Sequence, residues 1–312
     1  MKAFYVEQFG SGQVREDQPD PVPGDGEVIV SVQAAGVGYM DVMIVDGQYP
    51  LVTEPGFVLG SELAGSIVGV GAGVDPEVLG RHVFAMTTTR SFAERCAVDY
   101  SSTLPIPDGL GSTEAVALGI NALVAYEVLQ RVGGHGPADV LVRGASGGIG
   151  VMATQLAALR GARVTAVTSS DERGEQLLEL GAARYVSRDA ARADAQRYDV
   201  IVDTVGGDEM PAFVEMLADN GRFVLCGGVA GAPPPDFGAT LLANFHRSPS
   251  FSAFSLNSVD QHTRRDAAQA VMGLAAEGSL RPVVSERLAL DDVEEALGLL
   301  RTGVFGKVVV SP

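Results

Sequence analysis

The residues best placed for chemistry in this chain are glycines. Gly144-Ala145-Ser146-Gly147-Gly148-Ile149-Gly150 follows the β-branched run Asp139-Val-Leu-Val-Arg143 and leads into strong helix formers over 149–160. Such a strand-to-helix turn lets a phosphate lie against a helix N-terminus with no side chains in its way. Read as Ala145-x-Gly147-x-x-Gly150, with Ala where the usual first Gly stands, the stretch predicts a dinucleotide turn. Gly147 then lets the backbone approach the pyrophosphate, and Gly150 lets the helix pack closely on its strand. Ser146, Gly148 and Ile149 complete the expected contact. The plainer alternative is a tight connection with no ligand, and the strand that follows at Arg163 to Thr168 argues against it.

The residue ending that second strand sorts the nicotinamide cofactors, because a carboxylate there accepts from both ribose hydroxyls but repels a 2′-phosphate. Here Thr168, Ser169 and Ser170 are neutral hydroxyls, while Arg173 and Arg188 offer charge-assisted hydrogen bonds to a phosphate. NADPH is therefore the expected cofactor, although Asp171 and Glu172 lie close by. Ligands of open parallel sheets sit at the carboxyl ends of the strands, which adds the turns at Thr204-Val205, Gly227-Gly228 and Phe251 to Phe254. Cys226, at the end of its strand, reads as a small apolar packing group.

These residues need a scaffold, and the pattern supplies one. Residues 1–118 are mostly short β runs broken by Pro and Gly clusters, such as Glu27 to Val32 and Leu63 to Val70, which fits a compact, partly open barrel. Ser112-Thr113-Glu114 opens an apolar helix to about Arg131. From 138 onward strands alternate with helices, the signature of α/β architecture with a doubly wound parallel sheet. Strands are predicted at 139–143, 163–168, 198–203, 222–226 and 249–254, with helices near 149–160, 171–180, 208–219 and 260–277. Asp171 is the expected N-cap of the second of these helices, and Pro211 suits the first turn of the third. A helix at 291–301 and a strand at 306–310 end the chain.

At 312 residues, with 46% hydrophobic and 20% charged residues, the composition is that of a globular protein large enough for two domains. A formal charge of −17 argues against binding nucleic acid, which needs clustered cations. The first residues run straight into a strand-like alternation, so neither a signal peptide nor a membrane span is expected, and the two cysteines, Cys96 and Cys226, read as reduced thiols of a cytoplasmic protein. His82, His135, His246 and His262 have no mutual spacing that suggests a metal or a triad.

In this order the stretches Ala34-Ala35-Gly36-Val37-Gly38-Tyr39-Met40-Asp41-Val42, Gly47-Gln48-Tyr49-Pro50, Gly60-Ser61-Glu62-Leu63-Ala64-Gly65, the glycine turn, Asp203-Thr204-Val205-Gly206-Gly207 and Gly306-Lys307-Val-Val-Val310 resemble the medium-chain dehydrogenases/reductases, and among them the zinc-independent quinone oxidoreductases. The resemblance covers essentially the whole chain. It implies a GroES-like catalytic domain over 1–118 and 265–312 and a Rossmann-type domain over 119–264. It also implies a zinc-independent NADPH-dependent transfer of hydride to a quinone or an α,β-unsaturated carbonyl, and a homodimer joined through the nucleotide sheets. Tyr49, with Tyr39 second, would face the substrate and supply a proton, and Asp41 would hold backbone. Phe251 and Phe254 would flank the nicotinamide through their backbone, and Lys307 would belong to the cofactor contacts.

Zinc alcohol dehydrogenases of the same superfamily carry a catalytic Cys and His where this chain has Gly38 and Ser61, and two cysteines build neither of their zinc sites. Short-chain dehydrogenases share the glycine spacing, but they place it near the N-terminus and use a Tyr-x-x-x-Lys. Here 143 residues precede the turn, and the only lysines are Lys2 and Lys307. Related quinone oxidoreductases carry Asn and Thr where this chain has Gly38 and Val124, which leaves a more apolar pocket or hands the polar role to Asn121, Tyr39 or Tyr49. A zinc-free alcohol or ketone oxidoreductase, or a catalytically idle NADPH-binding protein, are the alternatives.

Overall fold

A computed structural model describes residues 1–133, 138–192 and 195–312, so His135 lies outside the described residues. The chain divides into two compact units, Met1–Ile120 with Ala268–Gly278 and Pro282–Pro312, and Asn121–Ala267 with Ser279–Arg281.

The first unit is built of strands β1 (Ala3–Gln8), β2 (Ser11–Arg15) and β3 (Glu27–Val37), helix α1 (Tyr39–Val45), then β4 (Phe57–Val58), β5 (Glu62–Val70), β6 (His82–Met86), β7 (Arg95–Asp99) and β8 (Thr103–Pro105). Helix α2 (Ser112–Val132) follows. Two sheets result, one ordered β2-β1-β4, the other built around β3 and its antiparallel partners β5 and β7. Phe4, Val30, Ile44, Leu59, Leu63, Ile67 and Phe92 fill the space between them. Each such side chain contributes about 1.5–3 kcal/mol by leaving water.

The second unit holds β9 (Asp139–Arg143), α3 (Gly148–Leu159), β10 (Arg163–Thr168), α4 (Asp171–Glu179), β11 (Arg184–Ser187), α5 (Arg188–Arg192), β12 (Tyr198–Asp203), α6 (Met210–Val214), β13 (Leu217–Leu225), α7 (Phe237–Ala243), β14 (Ser250–Ala253) and the start of α8 (Gln261–Ala276). Its six strands are all parallel and ordered β11-β10-β9-β12-β13-β14. Numbered from β9 that order is 3-2-1-4-5-6, which reverses direction beside the first strand and opens a crevice at the carboxyl ends. The first unit then closes with β15 (Val284–Ala289), α9 (Val293–Thr302) and β16 (Lys307–Ser311), with β16 antiparallel to β3.

Several local expectations are corrected. Ser170, not Asp171, caps α4, since its hydroxyl accepts from the Arg173 N–H. The helix expected over 208–219 shrinks to Met210–Val214, because the chain must enter β13 at Leu217 to pair with Tyr198. β11 is a strand that the sequence pattern did not single out. Helix α2 is long and apolar enough to cross a membrane, with a mean hydropathy of 1.3 over its most apolar window, yet 78% of that window is buried within the protein.

Candidate functional site

In the second unit the glycine turn lies where the sequence places it. Gly147 is the N-cap of α3 and brings no side-chain cap, so the first N–H groups of the helix are left for another acceptor. A Cβ on Gly150 would lie 2.2 Å from the Gly144 carbonyl oxygen and 2.7 Å from the Ala145 Cα, so the helix can start this close to the turn only with glycine there. The turn is tied to β10 twice, by the Ala145 N–H on the Val167 carbonyl at 3.2 Å and by a 2.6 Å hydrogen bond between the Ser146 and Thr168 hydroxyls, both buried. Asn121 packs its amide where a side chain on Gly148 would be.

Past β10 the hydroxyls and one arginine come together. Ser170 Oγ accepts from the Arg173 N–H, and Ser169 Oγ accepts from the Arg173 guanidinium, each at a long 3.4 Å. Ser187 at the end of β11 stands opposite Thr168, which puts Arg188, the first residue of α5, on the same edge and exposed. No carboxylate ends β10.

On the other side of β9, Thr204 donates its hydroxyl to the Arg143 carbonyl at 3.0 Å, and Val205 and Gly227 adjoin it. Gly228 follows in a half-buried turn. The Phe251 ring belongs to the core, 5.8 Å from the Phe223 centroid and 4.9 Å from that of Phe237. The Phe254 ring lies under the Arg131 guanidinium at 4.8 Å. Both rings are therefore engaged within the protein, while Ser252 and Ala253 between them are exposed. Burial pushes the Cys226 thiol up to about 12, so it packs as a neutral group beside the Asp203 carbonyl.

The first unit buries a cluster of charge. Asp41 sits in the first turn of α1, wholly buried, with Oδ2 accepting from the Gly38 N–H at 2.8 Å and Oδ1 without a partner. Burial raises its pKa to about 6, against the Gly38 N–H, the Lys307 ammonium and the Ser61 hydroxyl, which favour the charged form. Glu62 accepts from the Lys307 ammonium with Oε1 and from the Ile120 N–H with Oε2 at 2.8 Å. That second bond falls at a kink in α2, where Gly119 has φ +23° and a Cβ would lie 2.1 Å from Glu62 Oε2.

Lys307 thus departs from the expectation of a cofactor contact. β16 turns its side chain into the barrel, where it is 3% exposed and committed to Glu62. Tyr39 and Tyr49 are half-buried and pack on the same hydrophobic cluster as α1. Of the histidines, His82 is hydrogen-bonded to the Ser112 hydroxyl at 2.6 Å and its pKa is lowered by burial, whereas His262 pairs with Asp266 on α8. The sequence pattern gave no role to Arg143, Asp203 or Glu209, which the fold gathers beneath the glycine turn. An arginine ending a buried strand was the one signal that could have drawn attention to them.

A family model described as the alcohol dehydrogenase GroES-like domain matches residues 24–127, and one described as zinc-binding dehydrogenase matches residues 148–274. The residues do not fit the zinc of that description. Gly38 has no side chain, Ser61 hydrogen-bonds Asp41, Cys96 and Cys226 lie in different units, and among the described residues no group of three or more His, Cys, Asp or Glu is arranged to hold a metal.

The acryloyl-coenzyme A reductase of Metallosphaera sedula is 30% identical over 344 residues, covering all of both chains. A segment of a phenolphthiocerol/phthiocerol polyketide synthase from Mycobacterium tuberculosis is 31% identical over 303 residues. That match takes in 93% of this chain, which spans 14% of the synthase's length. Among solved structures, the quinone oxidoreductase of Thermus thermophilus, also solved as its complex with NADPH, is 30% identical with a TM-score of 0.86 over the whole of both chains. With the barrel, the 3-2-1-4-5-6 sheet and the glycine turn in place, the chain belongs to the medium-chain dehydrogenase/reductase superfamily, in its quinone oxidoreductase branch.

Proposed function

We propose that this protein is an NADPH-dependent reductase that adds hydride to the β-carbon of an α,β-unsaturated carbonyl compound or to a quinone, without zinc. The observation that carries the reading is the uncapped N-terminus of α3 beside an edge of hydroxyls and guanidinium, Ser169, Ser170, Arg173 and Arg188, with no carboxylate at the end of β10. The helix end suits a pyrophosphate and the edge suits a 2′-phosphate. Two reductases similar to this chain support it, one named for acryloyl-coenzyme A and one solved with NADPH.

Bound NADPH supplies the hydride; the chain's own residues bind, orient and exclude water. Gly38 and Ser61 offer no ligand set for a Lewis acid, so the acceptor must itself spread the charge it gains, as a conjugated carbonyl or a quinone does. Tyr49, or Tyr39 in its place, would deliver the proton that neutralises the enolate.

The test is NADPH oxidation assayed against enones, enoyl thioesters, quinones and simple ketones. Turnover is expected with the conjugated acceptors, and Tyr49→Phe should lower kcat about 100-fold for enones. Simple ketones reduced as fast as enones, or stoichiometric zinc in active protein, would overturn the reading. Tight NADPH binding without turnover would mark an idle cofactor-binding protein instead.

A further inference from the structure

Arg143 and Asp203 are register partners at the carboxyl ends of β9 and β12, the strands on either side of the crevice. Both are buried, at 3% and 0% exposure. Arg143 Nη1 donates to Asp203 Oδ2 at 3.0 Å and to the Gly206 carbonyl at 2.8 Å, and Nη2 donates to Glu209 Oε2 at 2.9 Å. Its guanidinium lies 4.5 Å from the centroid of the Phe213 ring. The second Asp203 oxygen accepts from the Val205 and Gly206 N–H groups at 2.8 and 3.2 Å. The loop over 204–207 is therefore gripped through two of its N–H groups and one of its carbonyls by one ion pair.

The grip extends sideways. Glu209 Oε1 accepts from Arg192 Nη1 at 2.8 Å, and Arg192 also pairs with Asp189. Both Asp189 and Arg192 belong to α5, whose first residue is Arg188. A chain of alternating charge thus runs from beneath the glycine turn to the edge where a 2′-phosphate is expected.

Stability alone is a poor reason for this arrangement, since a buried ion pair is often no better than an apolar pair of the same volume. Direction is what a planar fork with several donors provides. We propose that Arg143 is a positioning residue for cofactor selectivity: one buried guanidinium sets the loop after β12 and, through Glu209 and Arg192, the start of α5, so that the two stretches keep the spacing NADPH requires. The inference rests on the NADPH reading above, and Arg143 itself touches no cofactor atom in it.

The experiment measures, by calorimetry on the full chain, the affinities for NADPH, NADH, 2′,5′-ADP and 5′-AMP. Wild-type protein should prefer 2′,5′-ADP to 5′-AMP. Glu209→Gln and Arg192→Met should each weaken 2′,5′-ADP and NADPH roughly fivefold, as loss of a half-exposed ion pair allows, and leave 5′-AMP and NADH within about twofold. The double variant Arg143→Met/Asp203→Asn removes both buried charges and keeps an oxygen for the Val205 and Gly206 N–H groups, so it should fold and bind NADPH about tenfold or more weakly. An unchanged ratio of 2′,5′-ADP to 5′-AMP affinity in the two single variants would show a merely structural role and overturn the proposal, as would a cooperatively melting double variant with wild-type NADPH affinity. Equal wild-type affinity for 2′,5′-ADP and 5′-AMP would instead overturn the NADPH reading on which it stands.

Discussion

Asp41 concentrates the physics of the first unit in one side chain. Its carboxyl is held near 6, above the ordinary 3.8, because burial penalises the charge more than the Gly38 N–H, Lys307 and Ser61 repay. The folded state then grips the proton more tightly than the unfolded chain does. Its contribution to stability is greatest at acid pH, declines between pH about 4 and about 6, and is constant above that window. The two values correspond to something on the order of 3 kcal/mol. Asp41→Asn keeps an oxygen for the Gly38 N–H and removes the titration. Urea unfolding should therefore show the variant more stable than wild type at pH 8, with the advantage shrinking toward pH 4. A variant less stable at pH 8 would mean that the carboxylate and Lys307 attract each other by more than burial costs. That carboxylate also marks where reading a sequence ends. Gly147 and Gly150 announce themselves, because a strand before and a helix after leave few uses for two glycines in that spacing. Asp41 could be read as a backbone holder, but its burial beside Lys307 depends on residues 266 positions apart meeting across β3 and β16, and no local pattern carries that. The same holds for Arg143, whose partners lie about 60 residues on.

At the scale of elements, the buried strands were the legible part. Asp139–Arg143, Arg163–Thr168 and Tyr198–Asp203 form at the bounds their apolar runs indicate, because strands covered on both faces read as continuous hydrophobic stretches. β11, Arg-Tyr-Val-Ser, is a four-residue edge strand with no position fully buried, and so lacks that run. The tie between elements is a different matter. Lys307 joins β16 to β5 through Glu62, and Glu62 joins β5 to the kink of α2. Lys307→Met should cost about 3–5 kcal/mol by urea unfolding, since it leaves a buried carboxylate without its counter-ion. Adding Glu62→Gln should recover most of that, because the amide oxygen still serves the Ile120 N–H and residue 62 no longer carries a charge that needs a counter-ion. If the double variant were as unstable as the single one, the ammonium would be acting through packing and not through charge.

For the whole molecule, a formal charge of −17 sets a repulsion that any self-association must overcome locally. β14 offers the place. It ends the six-stranded sheet, pairs among the described residues with β13 alone, and reads Ser-Phe-Ser-Ala with no charged residue to blunt its outer edge. The segment just before it exposes Leu242 and Phe245, each at 74%. Because the Phe254 N–H is taken by the Leu225 carbonyl, the alternation of the strand turns the Ala253 N–H to the open side. Two copies meeting along this edge would pair those groups and cover the apolar side chains. Light scattering at physiological salt should then report twice the chain mass, and the dimer should weaken as salt is withdrawn and the acidic surfaces are less screened. Ala253→Pro removes an outward donor while leaving the β13 pairing intact, and should shift the protein to the monomer without lowering its melting temperature at concentrations where wild type is already monomeric. A dimer unaffected by Ala253→Pro, or a monomer at every concentration in the wild type, would place the contact elsewhere or deny it.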